Sequence, residues 1–474
     1  MEPRPAGPDE PAGHAPLSRR VFLERAGTAM AGVFIAPHVL SEQMVAHAHG
    51  HPSNAVATVG ITQATAYDRA AIKARVQHLF ESIGGIGDVV KGGDKVAIKI
   101  NLTGGSGNAG NPKLGGRPIT ESMWTHPEVL RAVGELLIDA GVAGNDITIV
   151  EALWDTASFN NFGYLAVQQS LGAQLVNLNN AAPYPAFVQR SVGPNRCYYD
   201  AFSVNQILSD VNVYVSIPKL KDHYEAGLTA SLKNQVGMVP KSLYTMTGDT
   251  GRRGELHGGG GEPSPTHLPK SVCDLNLARP VHLAVIDGVL NARGGEGVWN
   301  PTFVIAQDHL LLAGKDPVAT DSVSGYLIGH NPGSATLNLP AGGTCDNHLA
   351  LLAARGAGTN QMSQIQAVGD GAGLVTSVGP EPQRAHPDRV ELYQNFPNPF
   401  NPSTMFSFHL PEAASAAVAV YGITGERIET LLEGWLPAGV HSFRWAPSGL
   451  ASGVYFCELR AGGIVDRKKM IYQK

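Results

Sequence analysis

The chain has 474 residues, of which 43% are hydrophobic and 16% charged, and its formal net charge is −5. That length exceeds one ordinary hydrophobic core, so two or three domains are expected. The slightly acidic balance argues against a nucleic-acid-binding surface and a polybasic membrane patch. The cysteines lie far apart and form no C-x-x-C pair, which argues against a Cys-ligated iron–sulfur cluster and a structural zinc site. They are Cys197, Cys273, Cys345 and Cys457.

Residues 1–48 are predicted to be a disordered start followed by an export signal. Ser18-Arg19-Arg20-Val21-Phe22-Leu23 precedes an alanine-rich apolar run, and Ala46-His47-Ala48 fits a small-x-small cleavage site. The run is too short and too weakly apolar for a transmembrane span. The string resembles a twin-arginine signal, which implies export of a folded protein to the periplasm by the twin-arginine translocase. The alternative is a chance arginine pair before an apolar helix.

Residues 55–380 are predicted to form one α/β domain, because strand-like and helix-like patterns alternate along them. Residues 95–100 and 146–152 have the pattern of strands, and a helix is predicted over 127–140 with Thr125 as its N-cap. The alternation predicts a mostly parallel sheet with helices on both faces. Ligands bind at the carboxyl ends of strands in such sheets. The polar residues expected to converge at that edge are Asn101, Glu151, Lys219, Asp287 and Lys315.

The most distinctive basic pattern lies within residues 216–240. An apolar strand predicted over 211–215 is followed by Pro218, which ends the hydrogen-bond ladder because it has no N–H to donate. Lys219, Lys221 and His223 come next at alternate positions. In an extended segment they face the same side, so the strand is expected to present three basic side chains together.

A helix is predicted to follow from about Gly227, with a buried face made by residues spaced four apart: Leu228, Leu232 and Val236. Its N-terminus would add free N–H groups and a positive dipole end beside the basic side chains. That arrangement predicts a site for phosphate, carboxylate or a nucleotide. The alternative is that the lysines are solvated at an ordinary strand end.

Individual roles follow from the residue types. His223 is the candidate general acid or base, and Lys233 is the candidate electrostatic or covalent anchor. Asp287 and Asp321 are the candidate metal ligands, since Mg²⁺ and Ca²⁺ prefer oxygen; as a structural alternative, Asp321 is a helix-dipole partner. The candidate ligand-binding residues are Lys219, Lys221, Thr229, Asn101, Asn234 and Lys315.

Several of these motifs together resemble the family called domain of unknown function 362. They are Lys99-Ile100-Asn101-Leu102, Thr125-His126-Pro127, Lys219-x-Lys221-x-His223, Thr229-x-x-x-Lys233-Asn234, Asp287-Gly288 and Gly314-Lys315-Asp316-Pro317. Many relatives in that family carry a ferredoxin-type cluster segment, which this chain lacks. The cofactor is therefore unknown, and a divalent metal and a nucleotide both remain open.

A weaker similarity links the same stretch to nickel-pincer enzymes of the lactate racemase type. In those enzymes a His transfers a proton and a Lys holds the pincer nucleotide, and His223 and Lys233 stand at similar spacing. Ser231-Leu232 replaces the glycine pair that precedes the Lys in those enzymes. The similarity indicates the fold and the binding of a phosphate or nucleotide, and it is not evidence for nickel. A distant relationship to these enzymes is a further alternative for the function of the chain.

Residues 381–391 are predicted to be a linker, and residues 392–474 a second domain. Short alternating strands with turn residues between them predict an immunoglobulin-like β-sandwich there. The proline-rich entry at 393–402, Gly453-Val454-Tyr455 and the basic tail at 467–470 resemble the C-terminal sorting domain of the type IX secretion system. That resemblance implies passage through the outer membrane by this machinery to the cell surface or the medium. The alternative is an ordinary adhesive β-sandwich.

These observations lead to one functional expectation and two alternatives. The expectation is an exported protein whose central α/β domain binds an anionic small molecule or a nucleotide-type cofactor, with proton transfer or redox chemistry open. The alternatives are a non-catalytic surface binding protein and a structural surface protein. No nucleic-acid partner and no transmembrane span in the mature chain are expected.

Overall fold

A computed structural model describes residues 56–246, 253–258, 263–375, 390–393, 395, 398, 400, 404–436 and 439–473. The chain divides into two units, Met1–Ala48 and His49–Lys474, and the description below is of the second. The predicted export signal lies outside the described residues. So do residues 381–389 of the predicted linker, residues 247–252 and 259–262, and most of the proline-rich entry.

The central domain is built on a mixed sheet of eleven strands. Its path runs β15–β1–β12–β10–β7–β2–β3–β4, with β8, β9 and β11 attached beside β10. The strands of the domain are β1 (Ala57–Gln63), β2 (Val96–Ile100), β3 (Ile147–Glu151), β4 (Gln174–Asn177), β5 (Val188–Ser191), β6 (Ala201–Val204), β7 (Val213–Ile217), β8 (Lys219–His223), β9 (Gly227–Thr229), β10 (Leu283–Arg293), β11 (Val304–Ala306), β12 (Leu310–Gly314), β13 (Thr336–Asn338), β14 (Thr344–Asp346) and β15 (Ile365–Val368).

Parallel pairs dominate the sheet, which confirms the predicted fold class. Strands β2, β3, β4 and β7 pair in parallel, as do β7 and β8 with β10 and β1 with β15. The exceptions involve β12, which runs antiparallel to both β1 and β10, and the short strands β9 and β11.

Helices cover both faces of the sheet, and each face has its own apolar core. Ile98 of β2 belongs to the first core and Ala97 to the second, because successive side chains of a strand point to opposite faces. The first core contains the apolar faces of α1, α3 and α5, and the second those of α8, α9 and α10. The helices are α1 (Arg69–Ser82), α2 (Ile119–Ser122), α3 (Pro127–Asp139), α4 (Ala157–Asn160), α5 (Tyr164–Leu171), α6 (Ile207–Asp210), α7 (Gly254–Gly258), α8 (Ser264–Ala278), α9 (Pro317–Leu327) and α10 (His348–Ala353).

The prediction of a helix that begins at about Gly227 is wrong. Gly227 has φ +71° and pairs with His223, so the chain turns back there and forms β9 in antiparallel contact with β8. A 3₁₀ helix, Lys233–Met238, follows. Leu228, Leu232 and Val236 are nevertheless all buried. Their spacing of four therefore comes from a strand and a tight turn packed in the core, not from one face of an α-helix.

The start of α3 also differs from the prediction. His126, not Thr125, is its N-cap, and the ring Nδ1 accepts the Glu128 N–H. The Thr125 hydroxyl is turned into the sheet, where it accepts the Asn101 N–H and donates to the Ile217 carbonyl. The residue expected to cap the helix thus ties β2 to β7 instead.

The C-terminal strands form two antiparallel sheets around a third core. One sheet has the order β16–β17–β20 and the other β19–β18–β21–β22. Phe406 and Phe408 of β17 meet Val418 and Val420 of β18 in one cluster, as expected for a β-sandwich. The strands are β16 (Glu391–Leu392), β17 (Thr404–Leu410), β18 (Ala414–Tyr421), β19 (Arg427–Leu436), β20 (Gly439–Trp445), β21 (Gly453–Ala461) and β22 (Ile464–Tyr472).

Across the described part of both domains, no helix is long and apolar enough to cross a membrane.

Candidate functional site

The buried lysine site consists of Lys221, His223 and Lys233 with the groups that surround them. Strand β7 ends at Ile217, Pro218 interrupts the ladder, and β8 then carries Lys219, Lys221 and His223 as a second short strand. All three side chains are buried, at 0%, 0% and 5% exposure. The alternative of solvated strand-end lysines is therefore wrong.

Lys219 and Asp287 form an internal ion pair. Both side chains are fully buried, and Lys219 Nζ lies 2.6 Å from Asp287 Oδ2. Asp287 also accepts the Tyr67 hydroxyl and the His126 N–H, while Lys219 donates to Tyr67 and to the Leu290 carbonyl. Lys219 also contacts the Glu121 carbonyl of α2 at 3.2 Å. Since an ammonium has only three donors, this lysine is occupied in joining β8 to β10 and α2.

A second buried pair, Lys99 and Glu151, supports the site from the sheet. Lys99 Nζ lies 2.8 Å from Glu151 Oε2 and contacts Asn234 Oδ1 at 3.3 Å. Asn101 donates to the same Asn234 oxygen, and Lys221 Nζ donates to Asn101 Oδ1 at 2.9 Å. Asn101 and Asn234 thus link the ion pair to Lys221 and fix its position.

Lys221 is held by two hydrogen bonds but has no ion-pair partner among the described residues. Its Nζ donates to Asn101 and to the Met123 carbonyl. Burial lowers the pKa of Lys221 to about 7; Glu296 opposes this, and the neighbouring charges of Lys233 and Lys219 add to it. At neutral pH the amine therefore changes protonation readily.

Lys233 opens the 3₁₀ helix and is 8% exposed. Within the described residues its amine has neither a hydrogen-bond partner nor an ion-pair partner. Burial lowers its pKa to about 8, against the opposing charges of Glu296 and Glu225. The hydroxyl of Thr229, which stands opposite Lys221 in the ladder, is also buried and finds no described partner. An unpaired buried polar group costs roughly 1–3 kcal/mol, so a ligand that pairs with these groups would be favoured.

His223 is neutral, and its tautomer follows from its contacts. Its Nδ1 accepts the N–H groups of Glu225 and Ala226, each at 3.1 Å. The proton of the neutral ring must therefore be on Nε2. Burial, followed by the charge of Lys233, lowers the pKa of His223 well below its usual range. The imidazole can donate Nε2–H to an anion, but neither ring nitrogen has a free lone pair with which to accept a proton. The general acid/base role expected for His223 from the sequence would therefore require the other tautomer.

Two further groups, beside Glu225 and Arg253, belong to the electrostatic surroundings of Lys233. Glu296, from the loop between β10 and β11, accepts the N–H of Tyr224 and the indole N–H of Trp299 and stabilises the charged forms of both lysines. His348 is fully buried, and neither ring nitrogen has a described hydrogen-bond partner. Burial and then the charge of Lys233 lower the pKa of His348 to about 3. Sequence reasoning missed His348, because a single His after an Asn N-cap has no local signature.

Lys315 does not converge on this site. It is partly exposed and pairs with Asp88 at 2.7 Å. Because β12 runs antiparallel to β10, the carboxyl end of β12 lies at the amino end of β10, where Gly314 pairs with Ala284. The expectation that Lys315 joins Asn101 and Lys219 at one edge assumed a parallel strand and is wrong.

Asp321 supports the segment that leads into Lys233. Its two oxygens accept the N–H groups of Ser231 and Leu232 at 2.9 and 2.8 Å. Burial raises the pKa of Asp321 to about 8, and these hydrogen bonds oppose the rise. In the described chain, the group of three or more potential metal ligands is Cys197, Cys273 and Asp274. Asp287 and Asp321 are not part of it, so their role in metal binding stays a prediction.

Comparisons with known proteins agree with the motifs of the central domain. A relative, the thylakoid-associated protein sll1697 of Synechocystis sp., is 29% identical in an alignment of 294 residues that covers 58% of this chain and 76% of that protein. A solved structure of an engineered protein aligns with 73% of this chain and with 70% of the engineered chain, at 11% sequence identity. The TM-score of this alignment is 0.14, which is too low to support any argument about the fold. The family model described as Domain of unknown function (DUF362) matches residues 96–325. The matched residues run from β2 into α9 and contain the motifs on which the resemblance of the central domain to this family rests.

Proposed function

We propose that the central domain binds an anionic small molecule at the buried lysine site, with Lys233 as its main electrostatic partner. The observation that carries the proposal is a contrast among buried lysines. Lys99 and Lys219 each have a carboxylate within 2.8 Å, whereas Lys233 has no such partner in the described chain. A buried charge without a partner is destabilising unless a ligand supplies the opposite charge.

The surrounding donors fit a small anion. Lys221 and His223 lie within electrostatic range of Lys233, and Thr229 stands opposite Lys221 in the ladder. The Lys221 amine, the Nε2–H of His223 and the Thr229 hydroxyl provide neutral and charged hydrogen-bond donors. Phosphate and carboxylate oxygens accept from such groups. A nucleotide-type cofactor is compatible with the same donors through its phosphate.

Proton transfer is the second proposal for this site, and the lowered pKa of Lys221 favours it. The two backbone N–H groups hold Nδ1 of His223 as an acceptor, so His223 would orient a bound molecule through its Nε2–H rather than take a proton from it. Lys221, with a pKa of about 7, is the nearby amine suited to accept or release the proton at neutral pH. The rival is a binding protein without turnover.

Export forms the third part of the proposal. Residues 1–48 would direct the folded chain through the twin-arginine translocase, and the C-terminal β-sandwich would deliver it through the type IX machinery to the cell surface or the medium. The sequence motifs support this route, and an antiparallel sandwich is the shape that the sorting resemblance implies.

Binding is tested by isothermal titration of the full chain with sulfate, pyrophosphate and citrate. The Lys233→Met variant is expected to lose at least about tenfold in affinity for the anion that binds best, since a hydrogen bond to a charged group contributes roughly 1.5–3 kcal/mol. Lys315→Met removes a partly exposed lysine outside the site and serves as the matched control. Unchanged affinity in the Lys233 variant would refute the proposed anchor.

Turnover is tested separately with Lys221→Gln. The variant should keep part of the affinity because an amide still donates a hydrogen bond, yet it cannot accept or release a proton. Deuterium incorporation into a bound carboxylic acid in heavy water, followed by NMR, is expected for the wild type and lost in the variant. Binding without exchange in the wild type would favour the non-catalytic alternative.

A further inference from the structure

Two cysteines that are distant in the sequence meet outside the lysine site. Cys273 lies in the middle of α8 and is fully buried, while Cys197 is half-buried in the loop between β5 and β6. Their sulfur atoms and a carboxylate oxygen of Asp274 all lie within 4.8 Å of one another. The thiol of Cys273 is hydrogen-bonded to the sulfur of Cys197.

The backbone around Cys197 is already fixed to α8. Asp274 Oδ1 accepts the Cys197 N–H at 2.6 Å, and its Oδ2 accepts the N–H groups of Tyr198 and Tyr199, each at 2.7 Å. Arg355 adds a second restraint by donating to the Asn195 carbonyl. The loop therefore keeps the two sulfur atoms close together without a covalent bond.

We propose that Cys197 and Cys273 form a redox-responsive disulfide that locks the β5–β6 loop onto α8. The oxidant is a low-molecular-weight disulfide such as oxidised glutathione. The Cys197 thiolate attacks one sulfur of it, giving a mixed disulfide and releasing one glutathione thiolate. The Cys273 thiol then loses its proton, attacks the Cys197 sulfur of the mixed disulfide and displaces the second glutathione. In total the two protein thiols lose two electrons, and the oxidised glutathione is reduced to two glutathione thiols.

The environments of the two sulfurs suit this order of attack. Cys197 is the accessible partner, and its pKa is lowered by the hydrogen bond from Cys273, with smaller contributions from the charges of Arg355 and Lys270. The pKa of Cys273 is raised because it donates that hydrogen bond and is buried. The reactive thiolate thus belongs to the half-buried residue and the resolving thiol to the buried one.

A metal ion is the competing use of the same three side chains, and the hydrogen bonds disfavour it. Both oxygens of Asp274 already accept backbone N–H groups, three in all. Binding a cation through this carboxylate would weaken the contacts that hold the loop, whereas a disulfide leaves them intact. Disulfides also persist in oxidising compartments such as the periplasm, to which the proposed export route leads.

The test treats the full chain with oxidised or reduced glutathione, followed by alkylation under denaturing conditions and peptide mass spectrometry. The expected result is a peptide pair joined through Cys197 and Cys273 in the oxidised sample alone, together with a melting temperature several degrees higher than that of the reduced sample. Alkylation of both cysteines after oxidation, or a lower melting temperature on oxidation, would overturn the proposal.

Three variants and a metal measurement sharpen the result. Cys197→Ser and Cys273→Ser should abolish the redox-dependent shift, and Cys345→Ser, which removes another buried cysteine, should retain it. If Cys273→Ser fails to fold, the half-buried Cys197→Ser and the wild-type comparison still decide. One zinc ion per reduced chain, lost in Cys197→Ser and accompanied by no disulfide on oxidation, would assign the cluster to metal instead. Sulfate affinity in Cys197→Ser reports on the lysine site independently.

Discussion

Lys99 and Lys233 are both buried and close enough to influence each other, yet their surroundings differ at the level of single atoms. Lys99 has the Glu151 carboxylate, the Ile100 carbonyl and Asn234 around its ammonium group. Lys233 has carboxylates only at longer range, and its pKa falls to about 8 as a result of burial. A lysine in the second situation lowers the stability of the folded chain and gains most from a bound anion.

Replacing Lys233 by Met is therefore expected to stabilise the ligand-free protein. Because the pKa of Lys233 falls from 10.5 to about 8, the gain in unfolding free energy is at most about 3 kcal/mol below pH 8. Between about pH 8 and 10.5 the unfolded wild-type chain binds the additional proton, so wild-type stability rises with pH and the advantage of the variant shrinks. Denaturant unfolding at pH 6 and 10 measures this. A pH-independent difference between the two proteins would contradict the argument.

The same two amines predict how anion binding depends on pH. Lys221 and Lys233, with pKa values of about 7 and 8, lose their charge as the pH rises through this range. Sulfate keeps its charge throughout, so its affinity should fall about tenfold or more from pH 6 to pH 9. Titration calorimetry at both pH values measures the change. In Lys233→Met the remaining dependence should follow Lys221 alone, and an affinity that rises with pH would rule out the lysines as the binding groups.

At the scale of elements, the 3₁₀ helix Lys233–Met238 packs directly on the ends of β2 and β3. Gly237 makes this possible, because a Cβ there would overlap the Glu151 carboxylate and come within 2.7 Å of Lys99 Nζ. The backbone of the turn thus lies against the buried ion pair, and the glycine is required by the close approach rather than by an unusual φ.

Gly237→Ala is expected to be strongly destabilising. The methyl group would separate Lys99 from Glu151 or displace the 3₁₀ helix, and disrupting a buried ion pair costs about 3–5 kcal/mol. The melting temperature and the sulfate affinity should both fall, since the displaced helix carries Lys233. Gly107→Ala, at a glycine whose Cβ would meet nothing within 4 Å, is the matched control. Equal effects of the two substitutions would show that the close packing at Gly237 is not important.

The elements also show what the sequence could predict. The strands around Ile98 and Val215 were predicted to within about two residues, because short runs of apolar, β-branched residues have few alternatives to a buried strand. The Gly227 segment was mispredicted as helix, because a spacing of four fits both an amphipathic helix and a buried strand-turn. The proximity of His348 and Glu296 to Lys233 could not be predicted, since it depends on the order and direction of distant strands.

At the scale of the whole chain, the described residues form separate apolar cores. Two cores lie on the two faces of the central sheet, and the third contains only residues from Val390 onward. A domain with its own core is expected to fold by itself. The binding function and the sorting function proposed for this chain therefore belong to parts of the chain that have separate apolar cores.

Removal of residues 392–474 tests that division in one experiment. The shortened chain should bind sulfate as the full chain does, because Lys221, His223 and Lys233 are surrounded by residues of the central domain. Calorimetry should show one melting transition fewer, since the third core is absent.

In a bacterium with a type IX system, the shortened protein should accumulate in the periplasm, while the full chain reaches the surface or the medium. Loss of sulfate binding would mean that the central domain needs the sandwich, and unchanged surface delivery would show that residues 392–474 are not the sorting signal.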